Sequence, residues 1–97
     1  MLPIVWLPAA RRNLAAIIGF IAQENPTAAR RMKSLIEDAV LPLAEHPYLF
    51  RAGRVAGTRE VVAHPNYVVV YRVTGTVVLV LRVLHARQQY PKSSVTQ

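Results

Sequence analysis

From Thr58 to Ala86 the chain reads TREVVAHPNYVVVYRVTGTVVLVLRVLHA, and this stretch decides the fold class. β-Branched and aromatic residues dominate it, and turn residues break it in two places. Thr58–Ala63 reads as a strand, His64-Pro65-Asn66 as a turn and Tyr67–Val73 as the next strand. Thr74-Gly75 has the make-up of a tight hairpin turn, so Thr76 to about Ala86 forms a long last strand. Val77–Leu81 has no polar residue, which predicts a central strand covered on both faces. Pro91 ends the strand region, and residues 92–97 read as a polar tail.

Upstream, the hydrophobic period changes from strand-like to helical. Leu2–Trp6 is a short first strand, and Pro8 suits the first turn of a helix, where its missing N–H costs nothing. Leu14, Ile17, Ile18 and Ile21 then form an apolar stripe at helical spacing. Asn25-Pro26 supplies a second start, an N-cap followed by proline at the first helical position. Its stripe is Met32, Leu35, Ile36, Ala39, Val40 and Leu43, and Pro42 bends or ends the helix. From Glu45 to Gly57 no period survives, and this segment reads as a loop carrying Arg51 and Arg54. The order β-α-α-β-β-β predicts a two-layer α+β domain over residues 1–91, a helix hairpin packed on a mainly antiparallel sheet.

The length, 97 residues, suits one hydrophobic core, and 53% hydrophobic residues can fill it. Cysteine is absent, so disulfides and thiolate metal sites are excluded. Three histidines without His-x-x-x-His spacing do not suggest structural zinc. The longest apolar helical stretch, Leu14–Ala22, is too short to span a bilayer, and the N-terminus lacks the build of a signal peptide. A cytoplasmic protein is expected. Net charge is +7, unevenly placed. Residues 1–50 hold five basic and four acidic groups, whereas residues 51–97 hold seven basic groups against Glu60 alone. Six of those seven are arginines, which favour phosphate or carboxylate partners.

Several blocks resemble the RelE/ParE superfamily of bacterial toxins. They include Trp6-Leu7-Pro8-Ala9-Ala10, Asn25-Pro26-Thr27-Ala28-Ala29, Leu43-Ala44-Glu45-His46-Pro47 and Gly53-Arg54-Val55-Ala56-Gly57-Thr58-Arg59-Glu60. Tyr67–Val73 and Leu81–Pro91 extend the resemblance over residues 4–91. The most specific signal is Gly-Thr-Arg-Glu at its distance from Arg82-Val83-Leu84-His85-Ala86-Arg87-Gln88. The resemblance implies the toxin of a type II toxin–antitoxin system, needing no cofactor and held by an acidic antitoxin in a hetero-oligomer. RelE-like members cut mRNA on the ribosome without metal, and ParE-like members poison DNA gyrase without nuclease activity.

For the RNase chemistry, the resemblance implies a catalytic set of Arg59, His85, Arg87 and Tyr90. Arg59 would clamp the scissile phosphate and His85 would move a proton. Arg87 is expected on the same strand face as His85, adding charge, and Tyr90 would stack on a base or orient the phosphate. Arg51, Arg54, Arg82 and Lys92 are the expected nucleic-acid contacts. Arg51 and Arg54 stand where active RelE-like toxins carry lysines, and arginine is a poor proton acceptor. His64 and Glu60 are the substitute bases to consider. The expected function is inhibition of translation as a ribosome-dependent, metal-free mRNA endonuclease, and the thin catalytic set keeps a ParE-type gyrase poison, acting by binding, as the alternative.

Overall fold

A computed structural model of the chain describes residues 1–91. Its elements are β1 (Ile4–Trp6), α1 (Pro8–Ala22), α2 (Pro26–Ala39), β2 (Arg51–Ala52), β3 (Arg59–His64), β4 (Tyr67–Val73) and β5 (Val78–His85). A 3₁₀ turn over Leu41–Ala44 follows α2, where Pro42 cannot continue the α-helix. Asn25 caps α2 as expected, its side-chain oxygen accepting the Ala28 N–H at 3.0 Å. Among the described residues no helix is long and apolar enough to cross a membrane.

The five strands form one mixed sheet in the order β1-β5-β4-β3-β2, with β1 parallel to β5 and the other pairs antiparallel. The α+β class is as expected. Some details differ from the sequence reading. The central strand is β4, and β5 lies next to the β1 edge. The short strand β2 also appears inside the segment read as loop, paired through Arg51↔Glu60 and Ala52↔Arg59.

Both helices cover one sheet face. Ala10 and Leu14 of α1, Ile36 of α2, Val40 and Leu43 meet Val61, Val69, Tyr71, Val78, Val80 and Val83 in one core. Ile36 is fully buried, but Leu35, on the same predicted stripe, is 44% exposed. The helix's contact arc is narrower than its apolar arc.

The opposite, helix-free face is also partly closed, with Val68, Val70 and Leu84 buried. Two bulges decide which side chains lie there. Tyr71 pairs with Val80 while Val70 pairs with Arg82, leaving Leu81 as an extra residue in β5. In β3, Val62 pairs with Val68 and His64 with Tyr67, leaving Ala63 extra. Each bulge resets the in–out alternation beyond it. The β4–β5 link is a four-residue loop rather than a tight two-residue turn. The Thr74 hydroxyl closes it, accepting N–H bonds from Thr76 and Val77 at 3.2 and 3.0 Å.

Candidate functional site

The loop between β2 and β3 folds onto the helix-free face around Glu60. Its carboxylate is 2% exposed, accepts from Arg51 Nη2 at 3.2 Å and the Arg54 backbone N–H at 3.0 Å, and forms an ion pair with Arg54 Nε at 3.3 Å. Arg54 Nη1 also donates to the Gln88 carbonyl at 3.2 Å, so one arginine ties the loop to the segment after β5. Gly53 is needed here, because a Cβ would meet the Thr58 side chain and come within 3.1 Å of its carbonyl carbon. Gly57 takes φ +80°, a conformation that favours glycine. Glu60 is thus the anchor of the loop and not an accessible base, which removes it from the candidates for proton transfer.

Arg59 points to the other face. Its in-register partner is Tyr71, a member of the helix-side core. Nη1 donates to the Phe50 and Tyr48 carbonyls at 2.9 and 3.3 Å, and the guanidinium lies 4.9 Å from the Tyr48 ring centroid. Behind it the Tyr71 hydroxyl is buried, without a well-formed hydrogen bond among the described residues. Burial pushes its pKa above the usual value, against smaller opposing effects of Arg59 and the Phe50 backbone. Tyr71→Phe is therefore expected to stabilise the fold by about 1 kcal/mol, since it deletes an unsatisfied buried group. The wild type should also lose stability as pH rises past about 10, where the unfolded chain ionises this tyrosine and the folded chain does not. Chemical denaturation of both proteins at pH 7 and pH 10.5 checks the sign of both effects.

At the far end of the sheet His64, Tyr67 and His85 form a row across β3, β4 and β5, with ring centroids 5.9 and 5.6 Å apart. The bulge at Ala63 brings His64 into this row. His64 Nδ1 accepts the Asn66 N–H at 3.0 Å, and His85 Nδ1 accepts the Arg87 N–H at 3.1 Å. Both histidines therefore use Nδ1 as an acceptor, which fixes the orientation of each ring. Beside the row lies an open groove of about 340 Å³ lined by Asn13, Ile17, Phe20, Tyr67, His85 and Gln88, among others.

The expected catalytic set does not converge. Arg59 pairs with Tyr71 and His85 with Tyr67, positions four residues apart on β4, or about 13 Å along the strand. They also lie two strands apart, adding about 10 Å across the sheet. Arg87 is not on the strand face of His85. The strand ends at His85, and Arg87 sits in the turn that follows. Tyr90 lines a separate hollow with Arg82, Leu84, Gln88 and Asn13. Arg82, paired with Val70, belongs to the helix-free face with Glu60, so the basic residues divide between two faces. Arg51 and Arg54 are engaged by Glu60. Lys92 lies outside the described residues.

Sequence reasoning missed the Glu60 clamp and the partnership of Tyr48 with Arg59. A lone acid in a strongly basic half was the available signal for the first; the second carried none. The helix hairpin presents a further groove of about 460 Å³ between Arg11, Leu14, Ala15, Ile18, Gly19 of α1 and Lys33, Glu37 of α2.

These features can be set beside known proteins. The family model described as the ParE toxin of the type II toxin–antitoxin system parDE matches residues 4–90. The protein Y4kP of Sinorhizobium fredii is 41% identical over 88 residues, covering 90% of this chain and 91% of that protein. Toxin RelE2 of Caulobacter vibrioides is 39% identical over 88 residues, covering 89% and 97%. Among solved structures, a chain of the chromosomal ParDE system of P. aeruginosa shares the fold at TM-score 0.79 and 24% identity, covering 88% of this chain and 96% of that one. With the family model spanning nearly the whole chain, this protein belongs to the ParE toxin family of type II toxin–antitoxin systems, within the RelE/ParE superfamily.

Proposed function

We propose that this toxin acts by binding, as a ParE-type poison of DNA gyrase, rather than by cutting RNA. One observation carries the reading. The groups an RNase would gather on one phosphate are spread over two faces and two ends of the sheet, and the two loop arginines are both paired with Glu60. Metal-free cleavage needs a base, an acid and cations within hydrogen-bond reach of one phosphate. A binding poison needs only a rigid, strongly basic surface, and +7 net charge provides it. We take the partner to be an acidic antitoxin, and the groove between α1 and α2, lined by Leu14, Ile18, Arg11 and Lys33, suits an amphipathic helix from it.

The ribosomal RNase reading has one observation in its favour. His85 is exposed and its ring is held by the Arg87 N–H on Nδ1, as a proton-transfer group requires. Two assays separate the readings. Purified toxin added to a gyrase supercoiling reaction should inhibit it, and induced cells should filament while methionine incorporation continues at first. Supercoiling left intact together with translation that collapses within minutes would transfer the assignment to the RNase. In that case His85→Ala should abolish growth arrest.

A further inference from the structure

The helix-free face of the sheet gathers arginines by strand register. Arg51 of β2, Glu60 of β3, Val70 of β4 and Arg82 of β5 stand in one row across it. Arg72 lies on the same face, two residues beyond Val70 on a strand whose alternation is unbroken. Arg54 joins them from the loop that folds over Glu60. Four guanidiniums therefore meet one carboxylate, and residues 51–91 contain no other acid. Glu60 cancels one charge only, which leaves this face strongly positive. Arg72 is exposed, and Arg82 Nη1 donates to the Leu81 carbonyl at 2.9 Å. Neither forms an ion pair among the described residues, where the pairs are Lys33–Glu37, Arg51–Glu60 and Arg54–Glu60.

We infer that this face binds the phosphate backbone of duplex DNA without regard to base sequence. The inference goes beyond gyrase as a protein target and does not depend on it, because the contacts come from the toxin's own arginines. The spacing suits a double helix. Arg51 and Arg82 are three strand spacings apart, about 14 Å, close to the roughly 12 Å between the phosphate rims of a major groove. Arg72 is offset from that row by about 7 Å along the sheet, or about two nucleotides of rise on one strand. The chemistry of the face points the same way. Single-stranded nucleic acid is held largely by aromatic rings that stack its unpaired bases. No strand position on this face is aromatic. The exposed ring of Phe20 belongs to α1, and that of Tyr48 stacks on Arg59 at the helix side. Tyr90 lies beside Arg82 at the β5 edge and is half-buried. A duplex needs only positive charges in register, since its bases are already stacked and its outer surface is phosphate.

The test is fluorescence anisotropy of the intact toxin with a mixed-sequence DNA duplex and an oligouridine of equal length, with oligoglutamate as competitor. The duplex should bind saturably, with log K falling against log salt at a slope of about −3, as the release of about three counterions requires. Oligouridine should bind several-fold more weakly at the same salt, since the face offers its bases no stack. Arg72→Gln combined with Arg82→Gln should flatten the slope by about two units. Arg12→Gln with Arg31→Gln, an equal loss of charge at exposed positions of the helix layer, should change it by less than half as much. If the first pair fails to fold, Arg72→Gln alone, at an exposed position, should remove about one unit. Equal losses from the two pairs would overturn the inference, because net charge alone would then account for binding. Tighter binding of oligouridine would also overturn it and give the face to single-stranded RNA. Displacement of the duplex by oligoglutamate at equal charge would do the same in favour of an acidic protein. No gyrase is present in these titrations, so this inference and the gyrase reading fail separately.

Discussion

Glu60→Ala should lower the stability of the fold by about 2–4 kcal/mol, seen as a fall of roughly 10–25 °C in the melting temperature. The carboxylate is 2% exposed and accepts two N–H bonds and a further ion pair that hold Arg51, Arg54 and the loop over the sheet. Breaking a buried pair generally costs about 3–5 kcal/mol, because one partner is left charged and dry. The lower value applies here, since the Arg51 side chain is 58% exposed and can return to water. For the same reason Arg51→Ala should cost under about 1 kcal/mol. Glu60→Gln, which keeps the shape and one acceptor, should fall between the two. Amide exchange should locate the damage in residues 53–58 and, through Arg54, at Gln88. Equal small effects for Glu60→Ala and Arg51→Ala would refute the anchor.

The second large effect is a contrast between adjacent residues of α2. Ile36→Ala should cost about 3 kcal/mol or more, because the side chain is fully buried between the helices and the sheet and its removal leaves a cavity. Leu35→Ala should cost less than about 1 kcal/mol, since that side chain is 44% exposed. Urea denaturation of both variants, with unchanged slope, measures the difference. Comparable losses would mean that α2 is rotated about its axis from the position described.

This contrast marks where the sequence stops being informative. The apolar stripe of α2 identified the helix and its approximate core face, because helical period is a local property. It could not rank Leu35 against Ile36, since both are apolar and only the contact with the sheet distinguishes them. The candidate site was legible to a similar degree. Arg59, His85 and Tyr90 could be selected from their blocks, but whether they share one site depends on pairing between strands distant in sequence. Arg87 shows the limit plainly: two residues after His85 implies one face only while the strand continues, and it ends at His85.

By itself the sequence determined the α+β class, the helix hairpin with its Asn25-Pro26 start, the strand Tyr67–Val73, the basic second half and the family. All of these follow from period, capping chemistry, composition or contiguous residue blocks. The tertiary structure alone decided which groups face one another. The extra residues at Leu81 and Ala63 reverse the alternation of β5 and β3, placing Arg82 on the helix-free face and His64 in line with Tyr67 and His85. A bulge forms where two strands must pack onto one core with unequal residue counts, and that mismatch belongs to the pair. Neither strand's own sequence contains it.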